Sequence, residues 1–173
     1  MKERPILFSA PMVRALLAGT KTVTRRLDER WARAQPGDRI WVKETWAADA
    51  AWDIYKPTNI PETATMVYLA DNAIVRPRAN FARGKTRVSL FMRRWMSRLT
   101  MELTSVCVEP LQDITEEDAR AEGVEDGAND PRELYAALWD SINPKAPWAS
   151  NPPVVRLAFV RLWGALARAG SPP

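Results

Sequence analysis

The alternating segment at residues 99–108 is the feature that most constrains the fold. Its apolar and polar residues alternate with period two, as in a β-strand with one buried face. Three apolar side chains face one way, and three polar side chains face the other: Leu99, Met101 and Leu103 against Thr100, Glu102 and Thr104. The segment therefore predicts a long strand at the centre of a sheet.

The remaining elements are predicted to be short. The patterns favour further strands at 6–8, 39–46, 65–69, 74–75 and 155–159. They favour helices from Ser9 to a stop at Gly19, from Thr115 to a stop at Gly123, and from Asp130 to about Ser141. No regular βαβ rhythm is present, so we expect an α+β protein with a small, mostly antiparallel β-barrel decorated by short helices.

Composition limits the class of protein. A length of 173 residues suits one domain, and the net charge of +4 is compatible with a polyanionic partner without requiring one. The single cysteine, Cys107, fits a reducing compartment and is expected to be a small buried residue. No leader and no apolar run of roughly 20 residues are visible, so we expect a cytoplasmic protein without a membrane partner.

Residues 16–26 concentrate the chemistry. The chain contains no histidine, so proton transfer near neutral pH requires a lysine or a carboxylate with a shifted pKa. Lys21 and Thr24 are the candidates, with Arg25 and Arg26 beside them. In a straight strand Lys21 and Thr24 would point to opposite faces, so they converge only if the chain turns after Gly19.

Two other regions are candidates for ligand binding. Glu44 shares a strand face with core residues; it is either a buried functional carboxylate or, as the rarity of lone buried carboxylates favours, a strand-end group that reaches solvent. Residues 80–98 interleave cations with rings, including Arg94 and Trp95. Such a segment is either a groove for a nucleic-acid strand or a solvated loop pinned by its aromatic residues.

Metal and cofactor motifs are not found. The sequence has no glycine-rich phosphate loop or dinucleotide fingerprint, and without histidine only carboxylates remain as ligands. Those around the helix at 115–122 could hold a hard cation, but they are more typical of favourable charges at a helix N-terminus: Asp113, Glu116, Glu117 and Asp118. We therefore expect no metal and no cofactor.

Four ordered blocks resemble one known family. Residues 17–26, 36–46, 111–123 and 139–152 are similar in pattern to the ASCH domain family, especially to its phage- and prophage-associated members. The resemblance spans about residues 4–163 and is weak between Ala47 and Arg83. It implies one domain at 1–163 with a PUA-like barrel, an insertion around 47–97, and a tail at 164–173.

The resemblance also implies a partner and an activity. It implies RNA, DNA or a modified nucleoside as the ligand, and in some relatives a hydrolase, either an N4-acetylcytidine amidohydrolase or a ribonuclease. In the amidohydrolase pattern, Lys21 and Thr24 match the residues after the first helix, Arg26 matches a further basic position, and Glu122 matches a late glutamate. This chain is much longer than the small amidohydrolases, which leaves the substrate open.

Three functions remain open at this point. In the first, Lys21 takes the proton of the Thr24 hydroxyl and threonine attacks an amide carbonyl. Glu122 positions the amine or later supplies a proton, and the oxyanion is held by Arg25, Arg26 or backbone amides. In the second, the protein is a noncatalytic RNA- or DNA-binding module, and Lys21 and Glu122 form only an ion pair. In the third, it is a prophage-encoded interaction accessory that uses exposed tryptophans as anchors: Trp95, Trp139 or Trp148.

Overall fold

The computed structural model describes residues 1–124 and 130–162. Three α-helices lie in this part of the chain: α1 (Ala10–Ala18), α2 (Glu116–Ala121) and α3 (Pro131–Ile142). Its strands are β1 (Glu3–Leu7), β2 (Val23–Arg26), β3 (Arg39–Lys43), β4 (Trp46–Ala48), β5 (Met66–Tyr68), β6 (Ala73–Val75), β7 (Thr100–Pro110) and β8 (Pro153–Leu162). Short 3-10 turns connect them. The predicted tail at 164–173 lies outside the described residues.

The α+β class is confirmed, since the strands lie in two sheets accompanied by these helices. No closed barrel forms among the described residues. The PUA-like barrel therefore stays a prediction, as does the assignment of one domain with an insertion. The chain divides into two compact units, which are described separately.

The first unit comprises, among the described residues, 1–2, 15–39, 101–124 and 130–161. Strand β8 lies between β7 and β2 and pairs antiparallel with β2, so that Thr24 is opposite Leu157 and Arg25 is opposite Arg156. Helices α2 and α3 pack around an apolar cluster formed by Leu111, Ile114, Ala119, Tyr135, Trp139 and Val154. This unit holds the candidate catalytic residues.

The second unit comprises, among the described residues, 3–14, 40–100 and 162. It contains β1 beside β3 and an antiparallel sheet in the order β4-β5-β6. A second apolar cluster fills it, formed by Trp46, Ala48, Ile60, Ala64, Met66, Tyr68, Met92 and Met96. The basic segment at 80–98 belongs to this unit.

The predicted strand at 39–46 is wrong as one element. Strand β3 ends at Lys43 and β4 begins at Trp46, because Trp46 joins different partners: its amide donates to Arg87 O at 3.1 Å, and it pairs with Tyr68 of β5. The break at Glu44 and Thr45 thus marks a change of sheet within one alternating segment.

Candidate functional site

The turn after α1 positions Lys21. Gly19 adopts a left-handed φ of +81°, and the amides of Thr20 and Lys21 both donate to Ala15 O, at 3.0 and 3.2 Å. The chain therefore reverses before β2 begins at Val23. This is the turn that convergence requires, and it leaves the Lys21 side chain buried.

The Lys21 ammonium is surrounded by oxygen acceptors. It donates to Val23 O at 2.9 Å, to the Glu122 backbone O at 2.6 Å and to Glu122 Oε2 at 2.7 Å. The two side chains are only 1% and 5% exposed. Three oxygens match the three protons of a lysine ammonium, so the structure brings Lys21 and Glu122 into a buried ion pair.

Helix α2 presents Glu122 to this pair. The Thr115 hydroxyl accepts from the Asp118 amide at 3.1 Å and caps the helix, and Gly123 ends it with φ of +86°. Glu122, at the C-cap, also accepts from Arg25 Nη1 at 3.5 Å and from the Tyr135 hydroxyl at 3.4 Å. Its carboxylate therefore links β2, α2 and α3.

A network of alternating charges extends from Arg25. Its guanidinium, which is fully buried, donates to Glu109 at 2.8 Å and to Asp118. Asp118 in turn accepts two hydrogen bonds from Arg156, at 2.9 and 2.7 Å. Three carboxylates, including that of Glu122, thus contact the Arg25 guanidinium. These contacts indicate a structural role for Arg25.

Burial shifts the pKa values at the centre of the network. Desolvation lowers the pKa of Lys21, attraction to Glu122 opposes that change, and the charges of Arg26 and Arg25 add to the lowering. Burial, followed by the nearby Glu122 charge, raises the pKa of Tyr135. A lysine with a lowered pKa is the kind of group that transfers protons without histidine.

Thr24 is the residue of β2 that follows Val23. It is buried, at 4% exposure, and it is opposite Leu157. The three ammonium bonds described above go to Val23 and Glu122, and none of the three goes to the Thr24 hydroxyl. A proton transfer between Thr24 and Lys21 is therefore a prediction that geometry alone leaves to experiment.

Gly123 offers a test of how tightly the turn packs. An alanine Cβ there would lie 2.9 Å from Ala15 Cβ and 3.2 Å from Lys21 Cβ, whereas at Gly37, with the same φ of +86°, nothing lies within 4 Å. We expect G123A to lower the free energy of unfolding by about 2–4 kcal/mol, from strain plus overpacking, and G37A by about 1 kcal/mol. Chemical denaturation of both variants measures the difference; equal losses would contradict close packing at Gly123.

Glu44 belongs to a separate ion-pair group in the second unit. The expectation that it reaches solvent is wrong, since it is 2% exposed. Arg98 donates to both of its oxygens at 2.9 Å and also donates to Asp71 at 2.8 and 2.9 Å. The Arg98 guanidinium lies 4.3 Å from the centre of the Tyr68 ring. A buried carboxylate is unfavourable when it has no partner. Because Arg98 pairs with both carboxylates, Glu44 can stay buried.

Arg94 and Trp95 are also occupied within this unit. Arg94 donates to Glu3 at 2.7 Å and to Thr100 at 3.1 Å, while Trp95 is partly buried against the apolar cluster. Nothing in these contacts brings either residue near Glu44. The two predicted ligand-binding residues therefore remain predictions without a described pocket of their own.

Two expectations about exposed and buried residues are corrected. Cys107 is exposed rather than buried, because this end of β7 has largely exposed residues. Trp139 is buried at 4% exposure, and Trp148 packs partly buried against the same apolar cluster. The tryptophans proposed as anchors for a partner protein thus serve mainly as core residues.

Several network residues escaped sequence reasoning. Tyr135 lies one helical turn before Trp139, and nothing in the helical pattern indicates a polar role for it. Asp118 is indicated by the sequence only as a favourable charge at a helix N-terminus, and no local pattern indicates an ion pair for Arg156. Their pairing follows from the β2–β8 register and the position of α2, which no local pattern contains.

Within residues 1–124 and 130–162, no three His, Cys, Asp or Glu side chains are grouped as metal ligands. None of the helices described there is both long and apolar enough to cross a membrane.

Comparison with known proteins gives distant structural similarities. No protein-family profile and no curated protein matches the sequence. One similar solved structure is an ASCH domain from Lactobacillus crispatus, 12% identical, with a TM-score of 0.44 over 92% of this chain and 79% of that one. Another is a protein from Enterococcus faecalis, 11% identical, with a TM-score of 0.46 over 94% and 80%. The first of these belongs to the family that the four sequence blocks resemble.

Proposed function

We propose that the first unit binds a nucleobase-containing ligand and hydrolyses an amide bond on it, as in an N4-acylated cytidine. The observation that carries the proposal is the buried Lys21–Glu122 pair, in which the amine lies 2.7 Å from the carboxylate. Its support from sequence is that Lys21, Thr24 and Glu122 are the residues matching the amidohydrolase pattern. A role in RNA cleavage has no comparable set of residues.

The proposed reaction uses the neutral form of Lys21. The amine takes the proton of the Thr24 hydroxyl while the oxygen attacks the amide carbonyl, giving a tetrahedral intermediate. The ammonium then returns that proton to the leaving nitrogen as the C–N bond breaks, and water hydrolyses the acyl-threonine. Glu122 holds the amine in place, and Arg26 is the cation assigned to the oxyanion.

Burial supports this assignment of the base. A surface lysine is almost wholly protonated at neutral pH, whereas desolvation lowers the pKa of Lys21 and increases its neutral fraction. Two neighbouring arginines add to that lowering, while Glu122 limits it. The same pair can therefore accept a proton early in the reaction and donate it later.

The test is turnover of N4-acetylcytidine to cytidine, followed by chromatography. We expect Thr24→Val and Lys21→Met each to lower kcat at least about 100-fold, since one removes the hydroxyl that gives up the proton and the other removes the amine that accepts it. Thr22→Val is the matched control. Thr22 is exposed, lies two residues before Thr24, and is fixed by the hydrogen bond from its backbone amide to Ala121 O, so this variant should keep full activity.

A trapped intermediate gives a sharper result than rates alone. Rapid quenching followed by mass spectrometry should find one acetyl group on the peptide containing Thr24, and T24V should lack it. A T24V protein that hydrolyses the substrate at the rate of the unaltered chain would refute the threonine mechanism. Circular dichroism of each variant separates lost chemistry from lost folding.

A noncatalytic nucleic-acid-binding module is the second candidate. The near-complete burial of the site cations, with Lys21 and Arg25 side chains only 1% and 0% exposed, favours a structural network over a catalytic one. In this case the network is structural, no acylated cytidine is hydrolysed, and binding weakens with salt in proportion to the phosphates neutralised. The cytoplasmic location and the phage association stay predictions under either function.

A further inference from the structure

A cavity of about 780 Å³ lies entirely within the second unit. Its volume is in the range of ligand-binding pockets. Five of its lining residues are cations and none is a carboxylate: Lys43, Lys56, Lys85, Arg87 and Arg93. None of the Lys21 network residues contributes to it.

The cations of this cavity differ from those of the two ion-pair networks described above. Lys21, Arg25 and Arg98 all pair with carboxylates, but within residues 1–124 and 130–162 none of the five cavity cations forms an ion pair. The Arg87 guanidinium donates to backbone carbonyls of Trp52 and Tyr55, at 2.8 and 3.2 Å. Carbonyls leave its charge uncompensated.

Lys43 is held in this lining close to another cation. Its ammonium donates to Leu90 O at 2.6 Å, and desolvation together with the nearby Arg93 charge lowers its pKa. Like charges held close together create a positive potential, and the Asp53 carboxylate beside Lys85 accepts from the Lys85 backbone amide, at 2.9 and 3.0 Å, rather than from a lining cation. A bound anion would relieve this potential.

Exposed rings and apolar side chains complete the lining. Phe91 is 57% exposed and Tyr55 is 43% exposed, and Ile54, Val88 and Leu90 are exposed beside them. Single strands of nucleic acid are held in this way, with cations on the phosphates and aromatic rings stacked on the bases. An acidic peptide would satisfy the cations but offers no planar bases to the rings.

We propose that this cavity binds a segment of single-stranded nucleic acid through its unpaired cations and exposed rings. A strand is favoured over a free nucleotide because five cations around one cavity match a run of phosphates. The proposal is independent of hydrolysis at Lys21. The cations of the basic segment at 80–98 fall into two groups. Lys85, Arg87 and Arg93 line the cavity, whereas Arg94 and Arg98 pair with carboxylates.

The test is fluorescence anisotropy of the full chain with a labelled single-stranded oligothymidylate about 12 nucleotides long. We expect the double variant Lys56→Gln, Lys85→Gln to bind about 25-fold more weakly at about 0.1 M salt, and the slope of log K against log salt to fall by about 1.4, because two phosphate contacts are lost. Lys145→Gln is the charge-matched control, since Lys145 is exposed in the first unit, and it should leave the affinity nearly unchanged.

The rings are tested by a pair of neighbouring variants. Phe91→Ala should weaken binding about fivefold or more, from lost base stacking. Leu90→Ala removes an apolar side chain of nearly equal exposure, 59% against 57%, and should change the affinity by less than about twofold, since aliphatic groups do not stack. An equal loss in both variants would overturn the stacking assignment.

Competition distinguishes the occupant. Unlabelled oligothymidylate should displace the probe at concentrations far below those needed for thymidine monophosphate or polyglutamate. Equal displacement by the mononucleotide or by the acidic polymer would overturn the proposal, as would a double variant whose affinity and salt slope match those of the unaltered chain. Because Lys56, Lys85 and Phe91 have no core role, circular dichroism should show all variants folded.

Discussion

Replacing Glu122 with glutamine should lower the free energy of unfolding by about 3–5 kcal/mol at neutral pH. The glutamine keeps the shape of the side chain but removes the negative charge that faces Lys21 at 2.7 Å and Arg25 at 3.5 Å. Both cations are almost completely buried, so water cannot replace the lost carboxylate. Urea denaturation followed by tryptophan fluorescence measures the change.

A matched substitution on the same helix isolates the effect of burial. Glu116 also pairs with an arginine, Arg120, but the two side chains are 59% and 45% exposed. Glu116→Gln should therefore cost less than about 1 kcal/mol. If E116Q and E122Q lose the same stability, the buried network does not carry the energy assigned to it.

A double-mutant cycle attributes the loss to the uncompensated lysine. Lys21→Met removes the charge that E122Q leaves buried, so the double variant should be more stable than the sum of the two single losses predicts. Additive losses would mean that Glu122 acts through Arg25 and Tyr135 instead. Both outcomes are readable from the same denaturation curves.

The pH dependence of E122Q follows from the lowered pKa of Lys21. Between that lowered pKa and the ordinary lysine value of about 10.4, the unfolded chain binds more protons than the folded chain, so stability rises with pH. Desolvation lowers the pKa, and Glu122 opposes it. Without Glu122 the window extends to lower pH, so the deficit of E122Q should shrink as pH rises through that added range and level off above the pKa that Lys21 has in the unaltered chain.

Local sequence signals predicted the pieces that carry the site. Gly19 and Gly123 both have the left-handed conformation that ends their helices, and the cap at Thr115 forms as the capping pattern indicates. Leu99, Met101 and Leu103 are all buried, as the alternation at 99–108 requires. These features depend on near neighbours in the chain, so the sequence alone contains them.

Features that depend on distant partners were not predictable in the same way. The split between β3 and β4 arises because the backbone of Trp46 hydrogen-bonds to that of Arg87, 41 positions later in the sequence. Glu44 was expected in solvent because lone carboxylates are rarely buried; Arg98 supplies its partner from 54 positions away. Likewise the five cavity cations come from three separate stretches of the second unit, of which the basic segment at 80–98 is only one.

Replacing Arg98 with glutamine should lower the free energy of unfolding by about 3–5 kcal/mol near neutral pH. The substitution leaves Glu44 charged at 2% exposure and removes the four hydrogen bonds that join Arg98 to Glu44 and Asp71. Arg94→Gln is the matched control from the same segment. Its pair with Glu3 is 43% and 39% exposed, so its loss should stay below about 1 kcal/mol.

Acid conditions should reduce the deficit of the Arg98 variant. Burial raises the pKa of Glu44, and Arg98 opposes that rise; the folded chain therefore binds more protons than the unfolded chain above the ordinary glutamate pKa, and stability falls as pH increases through this window. Burial also acts on Asp71, but the hydrogen bonds from Arg98 and from the Ala73 amide lower its pKa. Once both carboxyl groups are protonated, R98Q leaves no buried charge without a partner. Denaturation midpoints of R98Q and R94Q measured from neutral to acid pH should converge, and a deficit that stays constant over this range would contradict the role of Glu44.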